Sequence, residues 1–224
     1  MPTVLVTGAN RGIGLEFARQ YKDDGWEVIA TCRAPDQADQ LNALGVEVHR
    51  LDVANFREIA ALGGRLADRA IDVLINNAGV FGSAQSFGCT DPDEWEYVLR
   101  VNTMAPLKMA EAFAGHVARG QRRIIASVTS KMGSIEDNRS GDMYLYRSSK
   151  AALNAVNKSL SVDLKDRGII CIVLNPGWVK TDMGGPSALI TAQQSVSGMR
   201  RIIESATTAH SGRFFNYDGQ EVPW

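Results

Sequence analysis

The segment TGANRGIG at positions 7–14 decides the fold of this chain. It follows the apolar run at 3–7 and opens a stretch of helical period that continues to Gln20. Gly8 permits a tight turn, and the glycines four and six positions later let the backbone approach a pyrophosphate at a helix N-terminus. A glycine pattern alone is a weak signal, and an ordinary glycine-rich turn is its alternative. The strand before it and the helix after it favour a phosphate-binding βα unit.

Short β-branched runs alternate with segments of helical period along the rest of the chain, which is typical of βαβ units. The runs at 28–31, 73–75 and 169–174 are almost continuously apolar, which indicates parallel strands covered on both faces. We predict an α/β, Rossmann-type doubly wound sheet that is mainly parallel, has about seven strands and is flanked by helices on both faces. Because the 224 residues contain no repeat or linker, a single domain over 1–224 is expected.

A long helix is predicted from Asp91 toward Arg119, and it is expected to be the longest of the chain. The sequence DPDE at 91–94 places a capping acid before a proline at the first helical position and acids in the first turn. The stretches at 131–143 and 176–187 are irregular in pattern and directly follow predicted strands. Ligands of open α/β sheets bind beside such strand ends, so both stretches are expected to border the ligand site.

The composition excludes several classes of protein. A net charge of −1 gives no electrostatic footprint for nucleic acid. The three cysteines lie far apart and the three histidines join no cluster at ligand spacing, so we expect neither a disulfide framework nor a metal site. No apolar run approaches the ~20 residues of a membrane-spanning helix, and no basic and apolar leader opens the sequence. We therefore expect a cytoplasmic protein that binds neither nucleic acid nor membrane.

The residues at the end of the second predicted strand indicate which dinucleotide binds. This position often holds an acid that bonds the adenosine ribose and favours NAD. Here it reads Cys32-Arg33, so no carboxylate would repel a 2′-phosphate. The guanidinium groups of Arg33 and Arg11 are expected to bind that phosphate, which makes NADP(H) the preferred cofactor and NAD(H) the weaker one. The alternative for Arg33 is a solvated loop arginine.

Several short motifs lie in order along nearly the whole chain. They are 7–14 (TGANRGIG), 51–53 (LDV), 76–79 (NNAG), 101–102 (VN), Ser130, 146–150 (YRSSK) and 176–177 (PG). Their joint order resembles that of the short-chain dehydrogenase/reductase family. The segments 143–154, 176–185 and 216–224 further resemble the sniffer-type carbonyl reductases and the bacterial C-factor proteins of that family. The resemblance implies an NAD(P)-binding oxidoreductase.

Tyr146 and Lys150 form the expected catalytic pair. Hydride transfer to a carbonyl carbon creates charge on the substrate oxygen, which needs a positioned acid. Tyr146 can be that acid, because Lys150 lies four residues later on the same helix face and is expected to lower the pKa of the phenol. Tyr144 is the rival, but the residue four positions after it is Ser148. The resemblance implies that Lys150 also holds the nicotinamide ribose.

Ser130 and Asn102 complete the expected catalytic group. The resemblance places the serine that bonds the substrate oxygen three residues before a glycine, here Gly133, which selects Ser130. Ser127 is the alternative if the following loop folds differently. The resemblance also implies that Asn102 holds a water beside Lys150 in a proton relay. A buried asparagine that only satisfies backbone groups is the alternative for Asn102.

The remaining cofactor contacts are implied by the resemblance. Asp52 and Val53 are expected to flank the adenine ring, the segment 76–79 to line the adenosine side of the cleft, and the segment 176–181 to receive the nicotinamide carboxamide. The predicted cofactor-binding residues are Gly8, Asn10, Arg11, Gly12, Ile13, Gly14, Cys32, Arg33, Asp52, Val53, Asn76, Ala78, Gly79, Tyr146, Lys150, Pro176, Gly177, Val179 and Thr181.

The predicted substrate is a carbonyl compound or alcohol of small to medium size and fairly apolar character. Apolar side chains fall in the segments that should border the cleft, although they could also belong to the core. They are Phe81, Phe87, Met132, Ile135, Trp178, Met183, Leu189 and Ile190.

Two other functions stay open at this point. A nucleotide-sugar epimerase or dehydratase shares the Tyr and Lys, but only about 45 residues follow Gly177, which is short for its substrate region. A cofactor-binding signalling protein of the C-factor type with little turnover is the other, and the intact catalytic residues argue against it. A homodimer through 91–119 and 146–167 is expected, with a monomer as the alternative if the loop at 131–143 covers that surface.

Overall fold

A computed structural model of the chain describes residues 1–83 and 85–224. This part of the chain contains seven strands in one sheet of order β3-β2-β1-β4-β5-β6-β7, and every strand pair is parallel. The strands are β1 (Thr3–Thr7), β2 (Glu27–Cys32), β3 (Glu47–Arg50), β4 (Val73–Asn76), β5 (Ile124–Val128), β6 (Ile170–Asn175) and β7 (Phe214–Asn216). The predicted fold class is confirmed.

Helices cover both faces of the sheet. They are α1 (Gly12–Asp23), α2 (Asp39–Asn42), α3 (Phe56–Arg65), α4 (Pro92–Leu99), α5 (Ala105–Arg119), α6 (Tyr144–Asp163) and α7 (Ala192–Ser205). None of the helices within the described ranges is both long enough and apolar enough to cross a membrane.

Neighbouring residues of one strand pack into two different cores. Val4 and Val6 of β1 join the core with Phe17 of α1, whereas Leu5 between them joins the core with Phe113 of α5. This alternation follows from the two-residue period of a strand. Each such buried side chain contributes about 1.5–3 kcal/mol relative to an exposed one. The almost continuous hydrophobicity of the strands is therefore explained by helices on both sides.

The helix predicted from Asp91 toward Arg119 is present as one continuous helical run from Pro92 to Arg119, but it contains a π-helical turn that the sequence does not predict. Asp91 caps α4 as predicted, since its carboxylate accepts a bond from the amide of Asp93. Residues Arg100–Met104 then form a π-helical turn before α5, and α6 with 20 residues is the longest uninterrupted α-helix in the described part of the chain. The wide turn directs buried polar side chains away from the helix toward neighbouring segments, a frequent use of π-helical turns at functional sites.

The strand order places one crevice at the carboxyl edge of the sheet. β1 lies between β2 and β4, so the chain leaves β1 toward one side and later returns on the other. Such a switch point separates the loops after the two neighbouring strands and leaves room for a ligand. The glycine loop follows β1, and the motif at 76–79 follows β4. The irregular stretches after β5 and β6 end at the same edge, as predicted.

Candidate active site

The glycine loop after β1 is folded so tightly that two of its glycines leave no space for a side chain. Gly8 has a φ of +66°, and a Cβ added there would lie 2.9 Å from the Cα of Ala78. A Cβ on Gly14 would lie 2.2 Å from the carbonyl oxygen of Gly8. α1 begins inside this loop at Gly12, so its N-terminus lies at the crevice, where a phosphate is favoured.

Thr7 and Asn77 join the loops after β1 and β4. The Thr7 hydroxyl accepts bonds from the amides of Asn77 and Ala78 at 3.0 and 3.1 Å. The Asn77 side-chain amide donates to the carbonyls of Thr7 and Gly8 at 2.9 and 3.1 Å. Both residues belong to the motifs at 7–14 and 76–79, but the sequence alone indicates no role for either of them. Their partners lie about 70 positions away, so no local pattern indicates the contacts.

The end of the crevice beside β2 carries exposed positive charge. Cys32 is buried at the end of β2, whereas Arg33 is exposed and makes no hydrogen bond or ion pair with residues that the structure describes. Arg11 lies 2.8 Å from the carboxylate of Asp182, and both side chains are mostly exposed. Arg11 therefore spans the crevice from the glycine loop to the segment after β6. An exposed pair of this kind contributes only about 0–1 kcal/mol, so a phosphate can replace it at small cost.

The motif after β3 folds onto itself. The carboxylate of Asp52 accepts a bond from the amide of Ala54 at 3.0 Å, and the Asp52 amide donates to Glu58 at 2.9 Å. Val53 is buried beneath this turn. The structure thus gives Asp52 a turn-stabilising contact next to the position expected for the adenine.

Tyr146 and Lys150 lie together on α6, as their spacing predicts. Both side chains are buried, and the Lys150 ammonium nitrogen lies 5.7 Å from the centre of the Tyr146 ring. The same nitrogen donates to the carbonyl of Val128, the last residue of β5, at 2.9 Å. The ring of Phe81 packs against that of Tyr146 at a centroid distance of 4.7 Å. The pair is therefore held between the ends of β4 and β5.

Burial, rather than the Lys150 charge, dominates the ionisation of this pair. Burial raises the pKa of Tyr146 to about 12, opposed by a hydrogen bond to Ser130. Burial also lowers the pKa of Lys150 to about 8. The expected lowering of the phenol pKa is therefore wrong for this structure, because a low-dielectric site disfavours both charged forms. The arrangement keeps Tyr146 protonated, as a proton donor must be, and lets Lys150 exchange a proton near neutral pH.

The structure brings Ser130, rather than Ser127, to the phenol. Ser130 begins a 3₁₀ turn, where its hydroxyl accepts a bond from the amide of Met132, and its side chain opposes the rise that burial causes in the pKa of Tyr146. Ser127 lies buried within β5, and its hydroxyl accepts a bond from the Asn76 side chain at 3.3 Å. The rival Tyr144 is exposed at the start of α6. Geometry therefore favours Ser130 and Tyr146 over their alternatives.

Asn102 lies behind Lys150 in the π-helical turn and is fully buried. Its side-chain amide donates to the carbonyl of Val80 at 2.8 Å and to the Ser149 hydroxyl at 3.0 Å, and its oxygen accepts from the Val80 amide at 2.9 Å. A Cβ on Gly79 would lie 3.3 Å from that oxygen and 3.7 Å from the Lys150 ammonium. The oxygen has a second lone pair, so it can accept one more donor on the side that faces Lys150.

The segment after β6 borders the crevice opposite the glycine loop. Gly177 has a φ of +79°, and a Cβ there would lie 2.9 Å from side-chain atoms of Ile190 and Tyr217. Val179 pairs with Ile190, and the Pro176 carbonyl is bonded at the other end by Ser195.

This segment also touches the glycine loop. A Cβ on Gly12 would lie 3.3 Å from the methyl group of Thr181. The hydroxyl of Thr181 in turn accepts a bond from the amide of Gly184. Pro176 to Thr181 thus follow β6 at the carboxyl edge of the sheet, and Thr181 lies beside the glycine loop.

The apolar residues expected at the cleft do not belong to the buried core. Five of the eight are exposed, with Phe87 the most exposed at 87%. The other four exposed residues are Ile135, Trp178, Met183 and Leu189. Phe81, Met132 and Ile190 are partly buried. The core alternative is therefore wrong for the five exposed residues, and the apolar border of the crevice stays a prediction.

The three histidines lie apart in structural positions. His49 bonds Glu47 at 2.6 Å, His116 is buried against α3, and His210 accepts a bond from the amide of Thr207. In residues 1–83 and 85–224, no three histidine, cysteine or acidic side chains are grouped as metal ligands.

A parallel sheet that brings a glycine loop and a buried Tyr–Lys pair to one crevice defines a Rossmann-type oxidoreductase. The family model described as short chain dehydrogenase matches residues 2–189. The chain belongs to the short-chain dehydrogenase/reductase family.

Three known proteins show where in the family the similarity is strong. The chain is 47% identical to the C-signal protein of Myxococcus xanthus over 154 residues, which cover 69% of this chain and 93% of that protein. It superposes on the carbonyl reductase Sniffer of D. melanogaster with a TM-score of 0.94 and 34% identity, over 100% of both chains. The NADPH-bound carbonyl reductase from chicken fatty liver gives 0.93 and 34%, over 100% of this chain and 99% of that one. The predicted resemblance to sniffer-type reductases and C-factor proteins is confirmed.

Proposed function

We propose that this protein is an NADP(H)-dependent oxidoreductase that interconverts a carbonyl and an alcohol on a small to medium, fairly apolar substrate. One observation supports this most: the side chains of Tyr146 and Lys150 are buried together on one helix face, with the Lys150 nitrogen 5.7 Å from the centre of the Tyr146 ring. We propose that one domain over residues 1–224 holds both cofactor and substrate.

The residues around the crevice suit a dinucleotide with a 2′-phosphate. The glycine loop offers the N-terminus of α1 to the pyrophosphate, and Arg33 offers an unpaired guanidinium at the end of β2. Arg11 can join it by leaving Asp182. Gly79 and the segment 176–181 would border the nicotinamide half. The NADPH bound to the chicken carbonyl reductase supports this assignment.

The catalytic side chains have different roles in the proposed carbonyl reduction. The cofactor supplies the hydride that reaches the carbonyl carbon. Tyr146 donates its proton to the carbonyl oxygen, so carbonyl, hydride and proton together give the alcohol. Ser130 donates a hydrogen bond to the same oxygen as negative charge develops there. Lys150 then returns a proton to the phenolate, and the free lone pair of Asn102 can hold a water that resupplies Lys150.

The exposed apolar side chains at the crevice indicate which substrates fit. Phe87, Trp178 and Leu189 leave more than half of their surface exposed, so they are available to contact a bound substrate. An aromatic or branched aliphatic carbonyl compound can cover them.

The similarity to C-signal favours a second candidate function. A protein of this kind would bind the cofactor as part of signalling and turn over little substrate. The crevice supports cofactor binding in both cases, so turnover decides between them.

A substrate screen tests the proposed function. The purified protein is mixed with NADPH and a panel of aldehydes, ketones and quinones, and the loss of NADPH fluorescence is followed. We expect turnover of at least one apolar carbonyl compound, and Tyr144→Phe should retain it as the matched control. Tight NADPH binding without turnover of any compound would support the signalling candidate instead.

A further inference from the structure

The helix that carries Tyr146 begins without a cap of its own. The three residues before it, Gly141, Asp142 and Met143, all have left-handed backbone angles, with φ of 65°, 57° and 54°. Met143 at the N-cap position makes no side-chain capping bond. Left-handed angles are uncommon for residues other than glycine and persist only where the surroundings fix them. The first amides of α6 therefore need partners from elsewhere in the fold.

Gln85 supplies those partners from the loop after β4. Its backbone carbonyl accepts a bond from the amide of Tyr144 at 3.2 Å. Its side-chain oxygen accepts a bond from the amide of Tyr146 at 2.9 Å, across 61 positions of sequence. Gln85 is only 4% exposed. A single residue outside the helix thus satisfies two amides of its first turn.

The side chain of Gln85 is itself fixed in orientation. Its amide nitrogen donates to the carbonyls of Phe81 and Gly82 at 2.8 and 3.1 Å. Because the nitrogen faces two acceptors and the oxygen faces a donor, only one orientation of the amide satisfies the site. Neither a hydrocarbon nor a carboxylate can make the same set of bonds.

We propose that Gln85 is a positioning residue that sets the place of the Tyr146 phenol relative to the substrate. The proposal rests on the proposed function. It follows from a chain of contacts: Asn102 holds Val80 at one end of the loop, Gln85 holds α6 at the other, and the ring of Phe81 between them packs on Tyr146. These contacts link the position of the Tyr146 phenol to that of Gln85, Phe81 and Val80.

The contacts restrict the effect of Gln85 to the start of α6. One turn further on, Lys150 is anchored independently by the carbonyl of Val128. Thr129 bonds Asn154 at 2.7 Å on the turn after that. Loss of the Gln85 amide should loosen the turn that contains Tyr146 and leave these anchors in place. Proton donation requires a reach of about 2.6–3.2 Å, and a misplacement of about 1 Å can cost a hundredfold in rate.

Three variants test the proposal, with 4-nitrobenzaldehyde and saturating NADPH as the probe. In Gln85→Ala we expect kcat to fall between about tenfold and about a hundredfold, with the Kd for NADPH within about twofold of wild type. Trp95→Phe is the matched control, because it removes a 2.8 Å bond to Ser148 on the same stretch of α6 that involves neither Tyr146 nor Gln85. Its kcat should stay within about twofold of wild type.

Gln85→Glu adds a readout that a merely structural role would not change. An ionised carboxylate accepts from Tyr146 but repels the carbonyls of Phe81 and Gly82, whereas a protonated carboxyl both donates and accepts, as the amide does. The kcat of Gln85→Glu, divided by that of wild type at each pH, should therefore rise as the pH falls. A flat ratio would contradict the proposal.

Hydrogen exchange separates this proposal from the proposed function. In Gln85→Ala the amides of residues 144–147 should exchange faster, while those of 150–160 should not. Faster exchange in a protein that reduces no carbonyl would overturn only the proposed function. Carbonyl reduction at the wild-type kcat in Gln85→Ala, or losses of kcat that match losses of folded protein and NADPH affinity, would overturn the role of Gln85.

Discussion

The two ends of the crevice differ in how they hold charge. At the α6 end, Tyr146 and Lys150 are buried and their pKa values are shifted to about 12 and about 8. At the glycine-loop end, Arg11 and Asp182 expose 68% and 76% of their side chains. A buried polar atom depends on its partner within the protein, whereas water and salt screen exposed charges. We therefore expect substitutions near α6 to change turnover strongly and substitutions at the exposed end to change cofactor choice moderately.

The largest effect is expected for Lys150→Met. The variant keeps an unbranched side chain but loses the ammonium that donates to Val128 and that, in the proposed mechanism, restores the proton of Tyr146. Turnover should fall by a factor of about a hundred or more, within the range of lost acid–base catalysis. NADPH affinity should fall as well, if Lys150 holds the ribose. Turnover within tenfold of wild type would contradict the relay.

The same variant sharpens the comparison through its pH dependence. Burial lowers the pKa of Lys150 from 10.5 to about 8, so the unfolded chain keeps its proton over a range in which the folded protein has lost it. The contribution of Lys150 to the free energy of unfolding therefore becomes more favourable to the folded state as the pH rises from about 8 toward 10.5. The free energy of unfolding of wild type, minus that of Lys150→Met, should increase between about pH 7 and about pH 9.5 in urea titrations. A constant difference would mean that the ammonium is solvated.

A second large effect is expected for Gly14→Ala, in the rigid part of the glycine loop. The new Cβ would lie 2.2 Å from the Gly8 carbonyl oxygen and 2.5 Å from the Asn77 amide nitrogen, so the clamp between β1 and β4 must open. We expect a loss of about 1–3 kcal/mol in stability and weaker NADPH binding by calorimetry. Gly64→Ala is the control, because nothing lies within 4 Å of its new Cβ. Equal stability and equal NADPH affinity of the two variants would show that the glycine loop can shift to make room for the new Cβ.

How far the sequence predicts this molecule depends on where the partners of each residue lie. The apolar run at 169–174 predicts a strand because burial on both faces leaves a local signal. The π-helical turn at Arg100–Met104 leaves no local signal, since its residue Asn102 bonds Val80 and Ser149, which lie 22 and 47 positions away. The role of Gln85 depends on a partner 61 positions away, for the same reason.

The site shows the same division. The spacing of Tyr146 and Lys150 predicts their common helix face, because four residues make one helical turn. The predicted lowering of the Tyr146 pKa is wrong, since the pKa depends on how deeply the surrounding loops bury the phenol. The pairing of Arg11 with Asp182 joins segments 171 positions apart and has no local signal either.

A moderate effect is expected for Arg33→Asp at the exposed end. In wild type we expect NADP(H) to bind at least about tenfold more tightly than NAD(H), a difference of about 1.4 kcal/mol. The acid should reverse that preference, because it replaces attraction to the 2′-phosphate with repulsion. Calorimetric Kd values for both cofactors provide the measurement. Arg167→Asp, in the exposed turn before β6, should leave the preference unchanged.

The smallest effect is expected for Arg11→Ala. Its ion pair with Asp182 is exposed, so its loss should change the stability by no more than about 1 kcal/mol. NADPH affinity should fall less than in Arg33→Asp, and high salt should reduce the difference from wild type. A larger loss than in Arg33→Asp would identify Arg11 as the main phosphate contact.

The central claim, that Tyr146 is the proton donor, is tested most directly by Tyr146→Phe. The ring keeps its packing against Phe81, so the Kd for NADPH should stay within about twofold of wild type. Single-turnover reduction of the best carbonyl substrate should slow by about a hundredfold to ten-thousandfold, because the phenol beside Ser130 that donates the proton in the proposed mechanism is gone. Reduction at the wild-type rate with intact NADPH binding would contradict the claim and assign the proton to another group.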